Sequence, residues 1–256
     1  MARWSPATYL QYRDERSRPF FDLTERIAVA SPVRVVDLGC GPGELTAALS
    51  QRWPRAVVEG LDSSPDMIAA AAQHATDRVR FRLEDLTAWQ PDSPVDVIVS
   101  NATLQWVPGH RELLPRLVER LTDEGVLAFQ VPGNFGEPSH VLLRQLAADD
   151  RFAAATSAVE YPTAEDAATY LSDLQQLSCR VDAWETTYLH VLTGDDPVFA
   201  WISGTGARPV LQALDPDARA VFEDEYKTLL REAYPAQRFG TVLPFRRVFA
   251  VAQRST

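Results

Sequence analysis

Apolar residues in this chain gather in short runs that end on acids, separated by stretches with helical spacing. Residues 33–38 make one such run, and Val57 to Leu61 makes a second that ends at Asp62. Val79 to Leu83, Val95 to Ser100 and Val126 to Val131 predict three further strands, the first two followed by Glu84-Asp85 and Asn101. Between the runs the period changes. A helix is expected from Glu44 to about Trp53 with Leu45, Ala48 and Leu49 on one face, and another from Leu113 to Leu121. Ser63-Ser64-Pro65 supplies a cap and an early-turn proline for a helix running to about His74. Strands alternating with helices at this spacing imply parallel βαβ units. The expected fold class is α/β: a Rossmann-like doubly wound, mostly parallel seven-stranded sheet.

Beyond Pro132 the rhythm breaks. Residues 134–160 predict one helix (about 138–148) and a polar stretch. A helix from about Thr163 to Leu177 leads into an extended segment, Val181 to Val191. Residues 194–241 read as mainly helical, broken by Gly204, Gly206 and Pro209, and Phe245 to Val251 as a closing strand. The expected organisation is one domain over 1–256. It has an N-terminal helical lid (1–30), a ligand-binding core (31–133) and a cap from two insertions (134–160 and 194–241). Residues 161–193 and 242–256 complete the core.

Composition narrows the partners. With 35 acids against 25 bases the net charge is −10, which disfavours nucleic acid and anionic membranes as partners. No apolar run is long enough for a bilayer, and Met1-Ala2-Arg3-Trp4 lacks a signal-like apolar stretch, so a cytoplasmic protein is expected. Two isolated cysteines make no disulfide framework, and the scattered His74, His110, His140 and His190 lack metal-ligand spacing, so no metal is expected. A monomer is the default expectation.

The chemistry concentrates at Asp37-Leu38-Gly39-Cys40-Gly41-Pro42-Gly43, a glycine-rich turn between a strand and a helix. The dinucleotide fingerprint would require glycine at position 44. This chain has Glu44, whose carboxylate opposes a pyrophosphate at the helix N-terminus. The pattern D-x-G-x-G-x-G resembles motif I of the class I S-adenosylmethionine-dependent methyltransferases at every position. That resemblance implies S-adenosyl-L-methionine as cofactor and S-adenosyl-L-homocysteine as product. Ligands of open α/β sheets bind beyond the carboxyl ends of the strands, where Asp37, Asp62, Asp85 and Asn101 fall. On this reading Gly39, Gly41 and Gly43 admit the ligand and Asp62 accepts the ribose hydroxyls. Asp85 and the Leu86 backbone meet the adenine, while Asp37 and the backbone at Asn101 face the methionine ammonium. Any one of these acids alone reads equally as a turn residue. Tyr9 and Tyr12 are candidates for a lid over the cofactor or for helix packing.

Other segments resemble the trans-aconitate methyltransferase family. They include Trp4-Ser5-Pro6, Glu15-Arg16-Ser17-Arg18-Pro19, Asp62-Ser63-Ser64-Pro65 and Asn101-Ala102-Thr103-Leu104-Gln105-Trp106. Glu137-Pro138 with His140, Thr186-Thr187-Tyr188 and Thr205-Gly206 with Arg208-Pro209 extend the likeness nearly end to end, residues 150–160 excepted. Ser63, beside Asp62, is a further cofactor-site candidate that reads equally as part of the helix cap. The resemblance implies a small polycarboxylate substrate, one carboxylate of which becomes a monomethyl ester. A carboxylate is already ionised at neutral pH, so in-line displacement needs positioning and no general base. Arginine forks match carboxylates, which makes Arg208, Arg16 and Arg18 candidate ligands. Tyr188, His140 and Gln105 are candidate donors and Trp106 a candidate pocket wall. Arg16 and Arg18 read equally as partners of Asp14 or Glu15 on a solvated helix, and Trp106 and Tyr188 as packing residues. The alternatives are a methyltransferase for another small molecule, or a non-catalytic S-adenosylmethionine-binding regulatory protein.

Overall fold

Seven strands carry the fold: β1 (Arg34–Leu38), β2 (Val57–Asp62), β3 (Val79–Leu83), β4 (Val95–Asn101), β5 (Leu121–Pro132), β6 (Cys179–Leu192) and β7 (Thr241–Arg254). The computed structural model describes residues 13–255, with side chains from Ser17 onward. The strand order is β3-β2-β1-β4-β5-β7-β6. The first five strands pair in parallel. β7 runs against them, since Arg254 meets Leu121 at one end of β5 and Arg246 meets Gly133 at the other. The order reverses between β1 and β4, which opens a crevice at their carboxyl ends.

The described residues divide into two compact units, 13–131 with 165–186 and 247–255, and 132–164 with 187–246. In the first unit Val97, Ile98 and Val99 of β4 and Leu127, Ala128 and Phe129 of β5 are fully buried. Such continuous apolar runs belong to strands covered on both faces. In the second, the helices Pro138–Ala147, Ala153–Thr156, Pro197–Ser203, Arg208–Ala213 and Pro216–Ala233 pack around Phe152, Trp201, Phe222 and Tyr226. No helix among the described residues is long and apolar enough to cross a membrane.

Several sequence expectations need correction. The helix expected over Leu113 to Leu121 is Leu114–Glu119, preceded by a 3-10 turn at His110–Leu113, and Leu121 already opens β5. β5 starts five residues before the expected Val126 because Thr122 to Gly125 form a bulge within the strand. Val95 pairs with Leu121 but Val97 with Val126, and Glu124 takes φ 62°. Within 150–160, expected to be merely polar, Phe152 is buried and the helix Ala153–Thr156 is anchored by Thr156 Oγ1 donating to Ala147 O (2.7 Å). The helix expected from Thr163 begins at Ala167, because Asp166 accepts from Thr169 N and sets the start.

Candidate cofactor site

Asp37 lies at the carboxyl end of β1, 1% exposed, and its Oδ2 accepts from Thr46 Oγ1 at 2.6 Å. Its Oδ1 is buried with no hydrogen-bond partner among the described residues. Burial raises the carboxyl to about 7; the Thr46 bond opposes the rise and the nearby Asp62 adds to it. Thr46 was missed by the sequence reading. The helix Glu44–Arg52 buries Thr46 and Leu49, leaving Leu45 and Ala48 half-buried, because its inner face must reach this acid. A hydroxyl in the first turn after a glycine loop that follows an acid is the signal that could have found it.

The three loop glycines divide the work. At Gly39 (φ 81°) a Cβ would stand 2.1 Å from Thr103 Oγ1, and at Gly43 it would meet Ala71 and Phe81 at 2.7 Å. Those two are required by the protein's own packing. At Gly41 (φ 54°) a Cβ would meet no atom of the described residues within 4 Å, so among them bare backbone faces open space. The Gly41 N–H donates to Asp62 Oδ2 (2.9 Å) and Ser64 N–H to Asp62 Oδ1 (2.8 Å). Asp62 thus ties the loop to the end of β2, and each oxygen keeps a lone pair for a ligand. Burial raises its pKa against those two bonds. Ser64 caps the helix Pro65–Ala71, with Met67 N at 3.4 Å, and Ser63 beside it is exposed.

After β3, Asp85 Oδ1 accepts from the backbone and hydroxyl of Thr87, both at 2.8 Å, which makes Asp85 a turn residue with Oδ2 to offer; Leu86 is half-buried. After β4, Ala102 takes φ 54°, a left-handed conformation for a residue with a Cβ, and its N–H donates to Gln130 O. Asn101 Oδ1 accepts from Gln130 Nε2 (2.6 Å). Gln105 donates from Nε2 to Ala102 O at 2.6 Å, and its buried Oε1 has no hydrogen-bond partner among the described residues. Trp106 beside it is half-buried. Arg18 pairs with Asp22 one helical turn away at 3.9 Å, its side chain 70% exposed. Tyr12 and the Arg16 side chain lie outside the described residues.

The other candidate substrate residues belong to the second unit. His140 is buried, its Nδ1 3.3 Å from Ser139 Oγ and its ring edge-on to Phe135. Burial and the charge of Arg144 hold its pKa near about 4, so the ring is neutral. Gly206 leaves room for it, since a Cβ there would stand 2.8 Å from Nε2. Tyr188 is buried and its ring lies parallel to His190 at 6.4 Å. Arg208 opens the helix Arg208–Ala213, half-buried, with burial lowering its pKa.

The first unit therefore carries a bare loop backbone flanked by three carboxylates and two orphaned acceptors, Asp37 Oδ1 and Gln105 Oε1. Acceptors in that number suit a ligand rich in donors and positive charge, and Glu44 in the first turn discourages phosphate. These residues fit S-adenosylmethionine. A family model described as a methyltransferase domain matches residues 35–125. A trans-aconitate 2-methyltransferase of Streptomyces coelicolor is 50% identical over 98% of this chain and 86% of its own length. The chain belongs to the trans-aconitate 2-methyltransferase family. Family members from Rhodococcus jostii and Mycobacterium tuberculosis are 48% and 44% identical, each over 98% of this chain and 99% and 96% of their own. Among solved structures, the YcgJ protein of Bacillus subtilis shares the fold with a TM-score of 0.59, at 13% identity over 93% of this chain and 97% of that one. A phosphoethanolamine N-methyltransferase 2 of Haemonchus contortus, solved with S-adenosylmethionine, shares it at 0.56, with 15% identity over 93% of this chain and 53% of that one. The α/β, mostly parallel sheet is that of the methyltransferase fold.

Proposed function

We propose that the chain is an S-adenosylmethionine-dependent carboxylate O-methyltransferase. It forms a monomethyl ester of trans-aconitate or a closely similar polycarboxylate and leaves S-adenosylhomocysteine. The observation that carries this reading is Gly41, whose missing Cβ, unlike those of Gly39 and Gly43, would meet no atom of the described residues, set beside the orphaned Asp37 Oδ1. Near-full-length identity to proteins named for this reaction supports the substrate.

When bound, S-adenosylmethionine supplies a methyl group on a sulfonium. The chain's residues hold and orient. Gly39, Gly41 and Gly43 shape the loop, Asp62 and Ser63 take the ribose side, and Asp85 and Leu86 take the adenine. Asp37 and Asn101 take the methionine end; Tyr12, the remaining cofactor candidate, lies outside the described residues. No side chain needs to remove a proton, because a carboxylate nucleophile is already ionised at neutral pH. Arg208, Arg16 and Arg18 are the side chains whose charge matches the substrate's carboxylates in a net-acidic chain, and Tyr188, His140, Gln105 and Trp106 are the further substrate candidates. The test is steady-state methyl transfer to trans-aconitate, cis-aconitate, citrate and isocitrate. Trans-aconitate should show the highest kcat/KM, and Arg208→Ala should lower it about tenfold or more while cofactor affinity stays within twofold. Equal activity in Arg208→Ala would remove Arg208 from the pocket. No transfer to any of the four by protein that binds cofactor would remove the substrate class.

A further inference from the structure

A chain of three buried polar side chains crosses three neighbouring strands at the carboxyl end of β4. Asn101, Gln130 and Arg247 are 8%, 1% and 5% exposed. Asn101 and Gln130 are register partners on β4 and β5, and Arg247 lies on β7, the next strand. Arg247 donates to Gln130 Oε1 at 3.4 Å, and Gln130 Nε2 donates to Asn101 Oδ1 at 2.6 Å.

The direction of this chain is imposed from one end. A guanidinium has donors and no acceptor, so the Gln130 atom facing it must be the carbonyl. The Gln130 amide nitrogen is then the atom facing Asn101, and it in turn requires the Asn101 carbonyl. What Asn101 has left to offer is Nδ2, with two N–H groups. We propose that Arg247 and Gln130 are positioning residues that fix the polarity of Asn101, and that Asn101 Nδ2 binds a carboxylate oxygen of a ligand.

The need for such a donor follows from the site. Asp37, Asp62, Asp85 and Gln105 Oε1 are acceptors, and they repel or leave unmatched any carboxylate brought among them. A neutral amide donor serves a carboxylate without placing a cation against a bound sulfonium. Without the relay, an asparagine amide turns over freely and presents its carbonyl as readily as its nitrogen. The inference rests on the function proposed above. The carboxylate has two sources there, the methionine end of S-adenosylmethionine and the polycarboxylate acceptor.

Gln130→Glu tests the polarity. It keeps the size of the side chain but can only accept. Arg247 still donates to it, while Asn101 must turn its Nδ2 inward and show its carbonyl to the site. Loss of one hydrogen bond to a charged group predicts a roughly tenfold to hundredfold loss in ligand affinity. A rise in the S-adenosylmethionine Kd by calorimetry assigns the methionine carboxylate. A rise in the trans-aconitate KM, with kcat within about threefold, assigns the substrate. In an Asn101→Ala background Gln130→Glu should cost nothing more, which a general disturbance by a buried glutamate would not reproduce. Should Gln130→Glu fail to fold, Arg247→Gln, whose end group both donates and accepts, should weaken the same constant several-fold, and donor-only Arg247→Lys should restore it. Folded Gln130→Glu with both constants within twofold of native, or an equal loss in the Asn101→Ala background, overturns the relay alone. Native protein that binds neither ligand overturns the relay together with the proposed function.

Discussion

Cofactor binding should expel a proton from Asp37. In the free protein burial lifts this carboxyl from 3.8 to about 7, which corresponds to on the order of 4 kcal/mol against its anion. A bound sulfonium and ammonium reverse that balance, because an opposite charge nearby favours the ionised form. At pH 6 the free protein holds Asp37 about nine-tenths protonated, so binding releases nearly one proton there and almost none at pH 8.5. Titration calorimetry at pH 6 in two buffers of different ionisation heat measures the release directly. Affinity should fall about tenfold per pH unit below 7, and Asp37→Asn should abolish both the slope and the proton. The same shift bears on stability. Because the folded pKa exceeds the unfolded one, free protein binds more protons than its unfolded chain between about 4 and 7 and loses stability as pH rises through that window. Asp37→Asn should therefore raise the melting temperature of the free protein above pH 7. Buffer-independent binding heat with affinity flat from pH 5.5 to 7.5 would refute the link between Asp37 and the ligand.

The loop glycines should separate folding from binding. Gly39→Ala drives a methyl to within 2.1 Å of Thr103 Oγ1 and should cost several kcal/mol in chemical denaturation. Gly41→Ala meets no atom of the described residues within 4 Å, so it should cost only about 1–2 kcal/mol of left-handed strain yet abolish cofactor binding. His140 should act on stability with a slope opposite to that of Asp37. Its folded pKa of about 4 lies below its unfolded value of 6.5, so stability is full above pH 6.5 and falls toward pH 4 by on the order of 3 kcal/mol. Denaturation of native protein and His140→Gln at pH 5 and 7.5 should show the loss in native protein alone.

Strand ends were legible because β1 to β4 each close on or beside an acid or Asn101. β1 and β4 are apolar runs buried on both faces, whereas the edge strand β3 carries Arg80 and Arg82 and leaves Leu83 exposed. The glycine loop was legible as a turn, but the pattern D-x-G-x-G-x-G does not say which glycine faces a ligand. Only Thr103, Ala71 and Phe81, distant in sequence, make Gly41 the exception. Thr46 was hidden because a threonine inside a helix reads as solvent-facing, and its partner Asp37 lies in another element. Arg247 was hidden for a similar reason. On a closing strand it reads as an outward charge, and its place beside Gln130 depends on β7 entering the sheet next to β5. The start of β5 at Leu121 was hidden because the polar Thr122 to Gly125 break the apolar run while staying inside the strand as a bulge.

The most direct test of the central claim is to follow a labelled methyl group from S-adenosylmethionine in the presence of trans-aconitate and identify the product by mass spectrometry. The account predicts one labelled monomethyl ester of trans-aconitate for each S-adenosylhomocysteine formed. Cofactor that binds but yields no ester, or a label found on any atom other than a carboxylate oxygen, would contradict it.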